Sequence, residues 1–233
     1  MRSGELIAAY IFGSVGRAQQ DHLSDLDVLA VVRNGRGKVA DIVIADLIPL
    51  HLRSHKLSIS WYGGDRLREM YRNGELFAWH LHNETAPLYD PTGFLCSLGR
   101  PAAYKDCLAD VDSFCSILSG IPAQVTLNEC NATYEAGLVY VCLRNIAMAA
   151  SWVLCEKPDF SRYSAFALSG IFPCPISVQE FECAMHCRMA GQRGQNPPSG
   201  VDARFVLALF ERLEPWLTSL RLVLREREHG QCN

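Results

Sequence analysis

The chain has 233 residues, of which 49% are apolar, and it carries 22 basic and 25 acidic side chains for a net charge of −3. This length is enough for one large domain or two small ones, each with its own core. The high apolar content excludes a largely disordered chain. A nucleic-acid partner is not expected, because residues 1–100 hold 11 basic and 11 acidic side chains and residues 101–233 hold 11 and 14.

The first hundred residues predict strands that alternate with helices. Apolar runs over 5–12 and 26–32 predict two buried strands, since each run ends at a turn that contains glycine. Residues 56–62 alternate between polar and apolar side chains and predict a third strand, with Ser58 and Ser60 on its polar face. The remaining predictions are helices over 37–50 and 65–82 and a short edge segment over 86–91.

Beyond Pro101 the pattern is helical throughout. Helical periodicity recurs over 102–118, 130–156, 161–170, 176–190 and 201–228. We therefore predict two domains, an α/β (α+β) domain with a mixed sheet over residues 1–100 and an all-α helical bundle over residues 101–233. The most apolar segment, 134–154, is predicted to be the central bundle helix, because Arg144 at its centre would cost at least ~2.5 kcal/mol in a membrane. Inside a protein, Arg144 requires an acidic or carbonyl partner.

The ten cysteines allow two interpretations, a secreted disulfide framework or reduced thiols within apolar helices. The opening residues have no signal-peptide pattern, and several cysteines stand where helical patterns call for apolar residues. We therefore expect reduced thiols and a cytoplasmic location, with no membrane association. Cys183, His186 and Cys187 are the nearest approach to a zinc site, but no second pair of ligands accompanies them.

Two short segments at the predicted strand ends carry the residues best suited to chemistry. Gly13 ends the first strand, and its missing side chain lets the backbone approach a ligand closely. Ser14 stands where a helix would begin, so its hydroxyl and the N–H groups of that turn suit a phosphate. Asp25 and Asp27 would project from one face of a strand and would repel each other unless a cation lay between them. Hard oxygen ligands beside a phosphate site suit Mg²⁺ and phosphoryl or nucleotidyl transfer.

The spacing of these residues resembles the Gly-Ser…Asp-x-Asp signature of the DNA polymerase beta-like nucleotidyltransferase superfamily. Its smaller members include aminoglycoside nucleotidyltransferases and the minimal nucleotidyltransferases that pair with HEPN proteins. The resemblance rests on one motif, Gly13-Ser14-x-x-Arg17 followed by Ser24-Asp25-x-Asp27. It implies a metal-dependent transferase that uses two Mg²⁺ ions and ATP or another nucleoside triphosphate.

The resemblance also implies roles for the motif residues. Gly13 and Ser14 would hold the β- and γ-phosphates of the triphosphate. Asp25 and Asp27 would be the catalytic residues, because they would bind the metal ions. The alternative interpretation of the motif is a Gly-Ser turn followed by a solvated acidic turn.

Two further nucleotide-binding candidates, Ser24 and Arg17, belong to the same motif. Ser24 would orient Asp25 or cap the turn. Arg17 has two open interpretations, a phosphate contact or a cation on the surface of a helix.

The sequence departs from the superfamily pattern on the third predicted strand. Active members usually carry a third carboxylate there, whereas this chain offers Ser58 and Ser60, which are poor metal ligands and poor bases at pH 7. Activity with two carboxylates is the interpretation we favour, and a nucleotide pocket without efficient catalysis is the alternative. The nearby polar side chains His80, His82 and Glu84 are lower-ranked candidates for a base or a metal ligand.

The helical half resembles HEPN and related bundles only loosely, around Leu143–Ala147. Because Ala149, Ala150 and Ser151 occupy the positions where the HEPN ribonuclease pattern requires histidine, ribonuclease activity is not implied. The predicted reaction transfers a nucleoside monophosphate, with AMP from ATP favoured, to a hydroxyl of a small molecule or a protein, and releases pyrophosphate. The alternative function is an antitoxin-like nucleotide-binding module that acts through a protein partner. A homodimer is left open.

Overall fold

The computed structural model describes residues 6–17 and 25–230 of the chain. The chain is an α+β protein with a mixed four-stranded sheet and a helical C-terminal region, as predicted. It divides into two compact units, Met1–Lys105 and Asp106–Asn233. The boundary between the units lies five residues beyond the predicted boundary at residue 100.

The sheet of the N-terminal unit has four strands, β1 (Leu6–Phe12), β2 (Leu26–Val32), β3 (Leu57–Gly63) and β4 (Ala86–Tyr89). Their order across the sheet is β3-β2-β1-β4. The strands β1 and β2 pair antiparallel, β4 pairs antiparallel with the other edge of β1, and β3 pairs parallel with β2. Both central strands are buried, as their continuous apolar runs predict.

Each face of this sheet is covered by its own apolar cluster. On one face Ile44 and Ile48, within and just after α2 (Asp41–Leu47), pack against Val28 and Ala30 of β2. On the other face Leu29 and Val31 pack against α3 (Gly64–Asn73) and α4 (Leu76–Glu84). Because side chains alternate along a strand, Asp27 belongs to the second face, with Leu29.

The single helix predicted over 65–82 is instead two helices, α3 and α4, which are separated at Gly74. This glycine has φ +69°, and a Cβ there would lie 2.4 Å from the carbonyl oxygens of Ala102 and Ala103. The left-handed conformation ends α3, and the close approach of the 102–103 backbone requires glycine. The short helix α1 (Gly13–Gly16) lies where a helix was expected to begin at Ser14, and the short helix α5 (Phe94–Leu98) was not predicted.

The C-terminal unit is built around one central helix. From residue 106 to 230 the described chain contains helices and connecting segments but no strand. The central helix packs against the four other helices of the unit, and Gly137 lets the backbone of Arg188 approach to 3.0 Å from where a Cβ would stand. The helices are α6 (Cys107–Leu127), α7 (Ala132–Leu154), α8 (Ser164–Ala167), α9 (Val178–Arg193) and α10 (Ala203–Gly230), of which α7 is the central one.

The charged side chain of Arg144, in the middle of α7, is bound by backbone carbonyl groups, as the sequence analysis requires. The guanidinium of Arg144 donates to the carbonyl oxygens of Phe160 and Ser161 at 3.0 and 3.2 Å. By length and composition alone, Glu129–Leu154 is the one helical segment of the described chain that could cross a membrane, and 56% of its most apolar window is buried. That burial is the packing expected of a core helix.

The nine described cysteines are all free thiols. Burial raises the pKa of Cys107 and of Cys142 to about 12 and that of Cys187 to about 11. These thiols fill apolar positions, as the helical patterns predict. Cys96 in the N-terminal unit and Cys130 in the C-terminal unit are exposed.

An ion pair joins the start of α9 to α10. Ser177 and Glu180 form a capping box, and the guanidinium of Arg212 donates to both carboxylate oxygens of Glu180. The hydrogen bonds from Arg212 are the main cause that lowers the pKa of Glu180 to about 2. A carboxylate with a lowered pKa stabilises the fold above its unfolded-state pKa and loses that contribution as the pH falls towards the folded-state value.

We predict that Glu180→Gln lowers the free energy of unfolding by about 1 kcal/mol at pH 7, because both partners are partly exposed and water screens their attraction. The variant retains an oxygen that can cap the helix. The difference in the free energy of unfolding between the variant and the wild type should shrink below a pH of about 4.5 and vanish near pH 2. Urea unfolding at several pH values measures this difference. The control is Glu211→Gln, an exposed charge on α10. If the Glu180→Gln variant were still less stable than the wild type by the same amount at pH 2, the ion pair would not be the cause of the difference.

Candidate active site

The two halves of the motif meet at one end of the sheet. In the antiparallel pairing of β1 with β2, Phe12 at the end of β1 lies opposite Asp27 near the start of β2. The residue that follows Phe12 is Gly13, so the glycine-serine turn begins directly beside the Asp27 carboxylate. The two parts of the sequence motif are therefore neighbours in space.

Gly13 allows that carboxylate to lie against the backbone of the turn. Its φ is +72°, and a Cβ at this position would stand 3.0 Å from Oδ2 of Asp27. Any other residue would strain the backbone and crowd the carboxylate oxygen. Glycine is therefore needed at this position because the Asp27 carboxylate approaches the turn.

The other motif residues belong to the segments that contain Gly13 and Asp27. Ser14 lies in α1, a single helical turn, and Asp25 directly precedes β2, where its backbone neighbour Leu26 donates to the carbonyl of Lys56 at 2.8 Å. Ser14, Asp25 and Asp27 are all partly exposed. Ser24 lies outside the described residues.

Ser58 is the lateral neighbour of Asp27 in the sheet. In the parallel pairing of β2 with β3, Asp27 lies beside Ser58 and Leu29 beside Ser60, so the serines share the face of Asp27. The apolar side chains Leu57, Ile59 and Trp61 face the opposite cluster, as the alternation predicts. A hydroxyl therefore stands beside Asp27 at the position where the superfamily pattern expects a carboxylate.

Arg17 is tied to α4. Its guanidinium contacts the carboxylate of Glu84, and the side chains of these residues are 19% and 7% exposed. Nε2 of His80 lies 2.7 Å from the same carboxylate of Glu84. Arg17 is thus a partly buried cation that holds the turn against α4, rather than a cation on the surface of a helix.

Gly16 brings the same two elements together through the backbone. A Cβ at Gly16 would stand 2.3 Å from the carbonyl oxygen of Glu84. The last residue of the α1 turn therefore packs directly on the end of α4. The Arg17–Glu84 ion pair and this close approach together hold the glycine-serine turn against the end of α4.

An aromatic cluster lies next to the motif on the same face of the sheet. The ring of Phe12 packs edge-on against Phe77 and His80, with centroids 5.8 and 5.7 Å apart, and Tyr62 packs against Phe77 at 5.5 Å. These contacts add to the attachment of α4 to the sheet. Sequence reasoning did not identify this cluster, because the alternation of the third strand places Tyr62 on the polar face with Ser58 and Ser60.

Metal-binding chemistry at this site depends on the two aspartates. No group of three or more His, Cys, Asp or Glu side chains that could hold a metal ion occurs among the residues that the structure describes. The Cys183, His186 and Cys187 set therefore does not form such a group. Asp27 lies beside the turn, whose glycine leaves room for its carboxylate, and Asp25 lies two residues earlier in the chain.

No protein-family model matches this chain, and no curated protein is significantly similar to it. The functional proposal for the site therefore depends on the motif and on its geometry.

We predict that Glu84→Ala destabilises the N-terminal unit by about 3 kcal/mol, because it removes a buried carboxylate that both Arg17 and His80 contact. The matched control is Glu69→Ala, which removes an exposed pairing with Arg66 and should cost less than about 0.5 kcal/mol. Urea unfolding followed by tryptophan fluorescence measures both values. Equal costs for the two variants would show that the Arg17–Glu84 pair does not hold α1 against α4.

Proposed function

We propose that the protein is a metal-dependent nucleotidyltransferase of the DNA polymerase beta-like type. In this proposal it transfers a nucleoside monophosphate, with AMP from ATP favoured, to a hydroxyl group and releases pyrophosphate. The acceptor is a small molecule or a protein. The N-terminal unit then corresponds to the nucleotidyltransferase domain, and the C-terminal helices to the domain that follows it in antibiotic-modifying members.

The observation that supports this proposal most strongly is the approach of Asp27 to Gly13. A surface Gly-Ser turn and an unrelated acidic turn would have no reason to adopt paired strand ends, with a carboxylate oxygen 3.0 Å from where the glycine Cβ would be. A phosphate-binding turn beside a metal-binding carboxylate does require that proximity. The register of β1 and β2 supplies it.

The residues of the site have separate roles in the proposed reaction. Gly13 and Ser14 bind the β- and γ-phosphates through backbone N–H groups and the serine hydroxyl, and Ser24 orients Asp25. The acceptor hydroxyl oxygen forms a bond to the α-phosphorus, and the bond from that phosphorus to the pyrophosphate oxygen breaks. The hydroxyl proton passes to water or to a group of the acceptor, since β3 offers no carboxylate beside Asp27. Arg17 positions the turn through Glu84.

The carboxylates Asp25 and Asp27 are the residues that would hold Mg²⁺, with two ions in the proposed complex. Oxygen ligands next to a phosphate site are the donor set that Mg²⁺ prefers. Bound there, the metal would neutralise charge on the triphosphate and increase the electrophilicity of the α-phosphorus. A cytoplasmic location, no membrane association and no nucleic-acid partner belong to the same proposal, and a homodimer stays open.

A second candidate function is a nucleotide-binding, antitoxin-like module that acts by binding a protein partner. Ser58 favours it, because a neutral hydroxyl beside Asp27 neither binds a second metal well nor accepts a proton at pH 7. Binding of ATP and Mg²⁺ without turnover, together with a stoichiometric complex with another protein, would support this candidate over the transferase.

We predict that Asp25→Asn and Asp27→Asn each reduce label transfer from α-labelled ATP by about a hundredfold or more, because each removes a metal-binding charge. Transfer into small-molecule and protein fractions is measured together with pyrophosphate release. The control is Asp41→Asn, an exposed acid in the first turn of α2. Transfer by either site variant at the wild-type rate would exclude the proposed reaction.

We also predict that Ser58→Asp makes stability depend more strongly on Mg²⁺. An aspartate next to Asp27 places like charges side by side, which should cost about 1 kcal/mol without metal. Because three carboxylates bind a divalent ion more tightly than two, Mg²⁺ should raise the melting temperature of the variant more than that of the wild type. Ser54→Asp adds the same charge at an exposed turn and serves as control. An identical Mg²⁺ response in all three proteins would count against a metal site at Asp27.

A further inference from the structure

A second concave site lies in the N-terminal unit, away from the motif. It is a cleft of about 740 Å³ between α3 and the chain segment around residues 97–102. Three arginines line it, Arg68, Arg72 and Arg100. Asp65, which also lines the cleft, follows β3 at the end opposite Ser58, and the strand between them spans roughly 20 Å.

The charges around this cleft are unbalanced. Arg68 donates to Asp65 at 2.9 Å and lies over the ring of Phe94. Arg100 lies over the ring of Trp79, with 5.0 Å between the guanidinium carbon and the ring centroid. Arg72 has no ion pair within the described part of the chain. Three cations thus share the cleft with a single carboxylate, which favours an anionic ligand.

Tyr71 adds a phenol to the wall of the cleft. The residue is only 4% exposed, and among the described residues its hydroxyl forms no side-chain hydrogen bond. Burial raises its pKa to about 12, so the phenol keeps its proton at neutral pH and can donate. The phenol therefore offers a hydrogen-bond donor to a ligand in the cleft.

The wall that carries Arg100 is fixed to α3. The backbone N–H of Ala102 donates to the carbonyl of Tyr71 at 2.8 Å, and the indole N–H of Trp79 donates to the carbonyl of Ala102 at 2.9 Å. The close approach of this segment to Gly74 holds it further. The arginines on the two walls are therefore attached to backbone that is already in place, which lowers the entropic cost of binding.

A second cavity of about 470 Å³ adjoins the cleft, because Tyr71 and Arg100 line both. Thr85, His82 and the carboxylate of Asp90 provide polar groups there, and Leu95 provides an apolar surface. This cavity is large enough for the remainder of a small molecule whose anionic group lies among the arginines.

We propose that the cleft binds the phosphate group of a small phosphorylated molecule with a hydroxylated body, such as a sugar phosphate, whose body occupies the adjoining cavity. Three guanidinium groups and a phenol supply more donors than a carboxylate accepts, whereas the oxygens of a phosphate dianion can accept them. A nucleic acid is disfavoured, because residues 1–100 have equal numbers of basic and acidic side chains. This inference does not depend on the proposed transferase function.

The test is calorimetric titration of the full-length protein with inorganic phosphate and with ribose 5-phosphate, in a metal-free chloride buffer. We expect both to bind, and ribose 5-phosphate to bind more tightly. Arg72→Gln and Arg100→Gln should each weaken ribose 5-phosphate about tenfold, and Tyr71→Phe should weaken it severalfold. The control Arg36→Gln removes an exposed charge elsewhere in the same unit and should leave the affinity unchanged. Circular dichroism spectra confirm that each variant is folded.

Three results would overturn the proposal. Equal binding by Arg72→Gln, Arg100→Gln and wild type would show that the phosphate does not bind in the cleft. Phosphate binding that becomes clearly tighter in the Asp25→Asn/Asp27→Asn double variant, which removes two negative charges beside the glycine-serine turn, would assign the anion to the candidate active site instead. Succinate that binds as tightly as phosphate, or a single-stranded oligonucleotide that binds more tightly than ribose 5-phosphate, would assign the cleft to a different ligand class.

Discussion

The pairing register between β1 and β2 is the constraint on which the candidate site depends. It places Phe12 opposite Asp27 and so brings the turn at Gly13 within contact of a carboxylate that lies 14 residues further along the chain. A shift of one residue would move Asp27 to the other face of the sheet, among the apolar side chains of the α2 cluster. The cost of burying that carboxylate among apolar side chains disfavours the shifted register.

The site is supported from two directions. The sheet fixes the positions of Gly13 and Asp27, and α4 fixes the far side of the turn through Gly16 and the Arg17–Glu84 pair. Rigid support of this kind suits a phosphate-binding turn, because little conformational entropy is lost when the ligand binds.

Much of the N-terminal unit could be predicted from the sequence, because apolar runs and alternation define strands well. The register that joins Gly13 to Asp27 could not, since it depends on which strands pair. The separation of α3 from α4 depends on the Ala102 and Ala103 carbonyls, which are distant in sequence from Gly74. The partner of Arg17 and the arginine cleft were missed for the same reason, since each joins residues from separate elements. Spacing of Arg68 and Arg72 by four was the only local signal of the cleft.

The distribution of the thiols has a practical consequence for labelling. Protonated, buried sulfhydryls such as those of Cys107, Cys142 and Cys187 react slowly with maleimides, because the thiolate is the nucleophile. The exposed Cys96 and Cys130 stand in different units, so within the described chain each unit already offers an accessible attachment point for a dye or a spin label. Distances measured between two such reporters, with and without nucleotide, would follow any movement of one unit against the other.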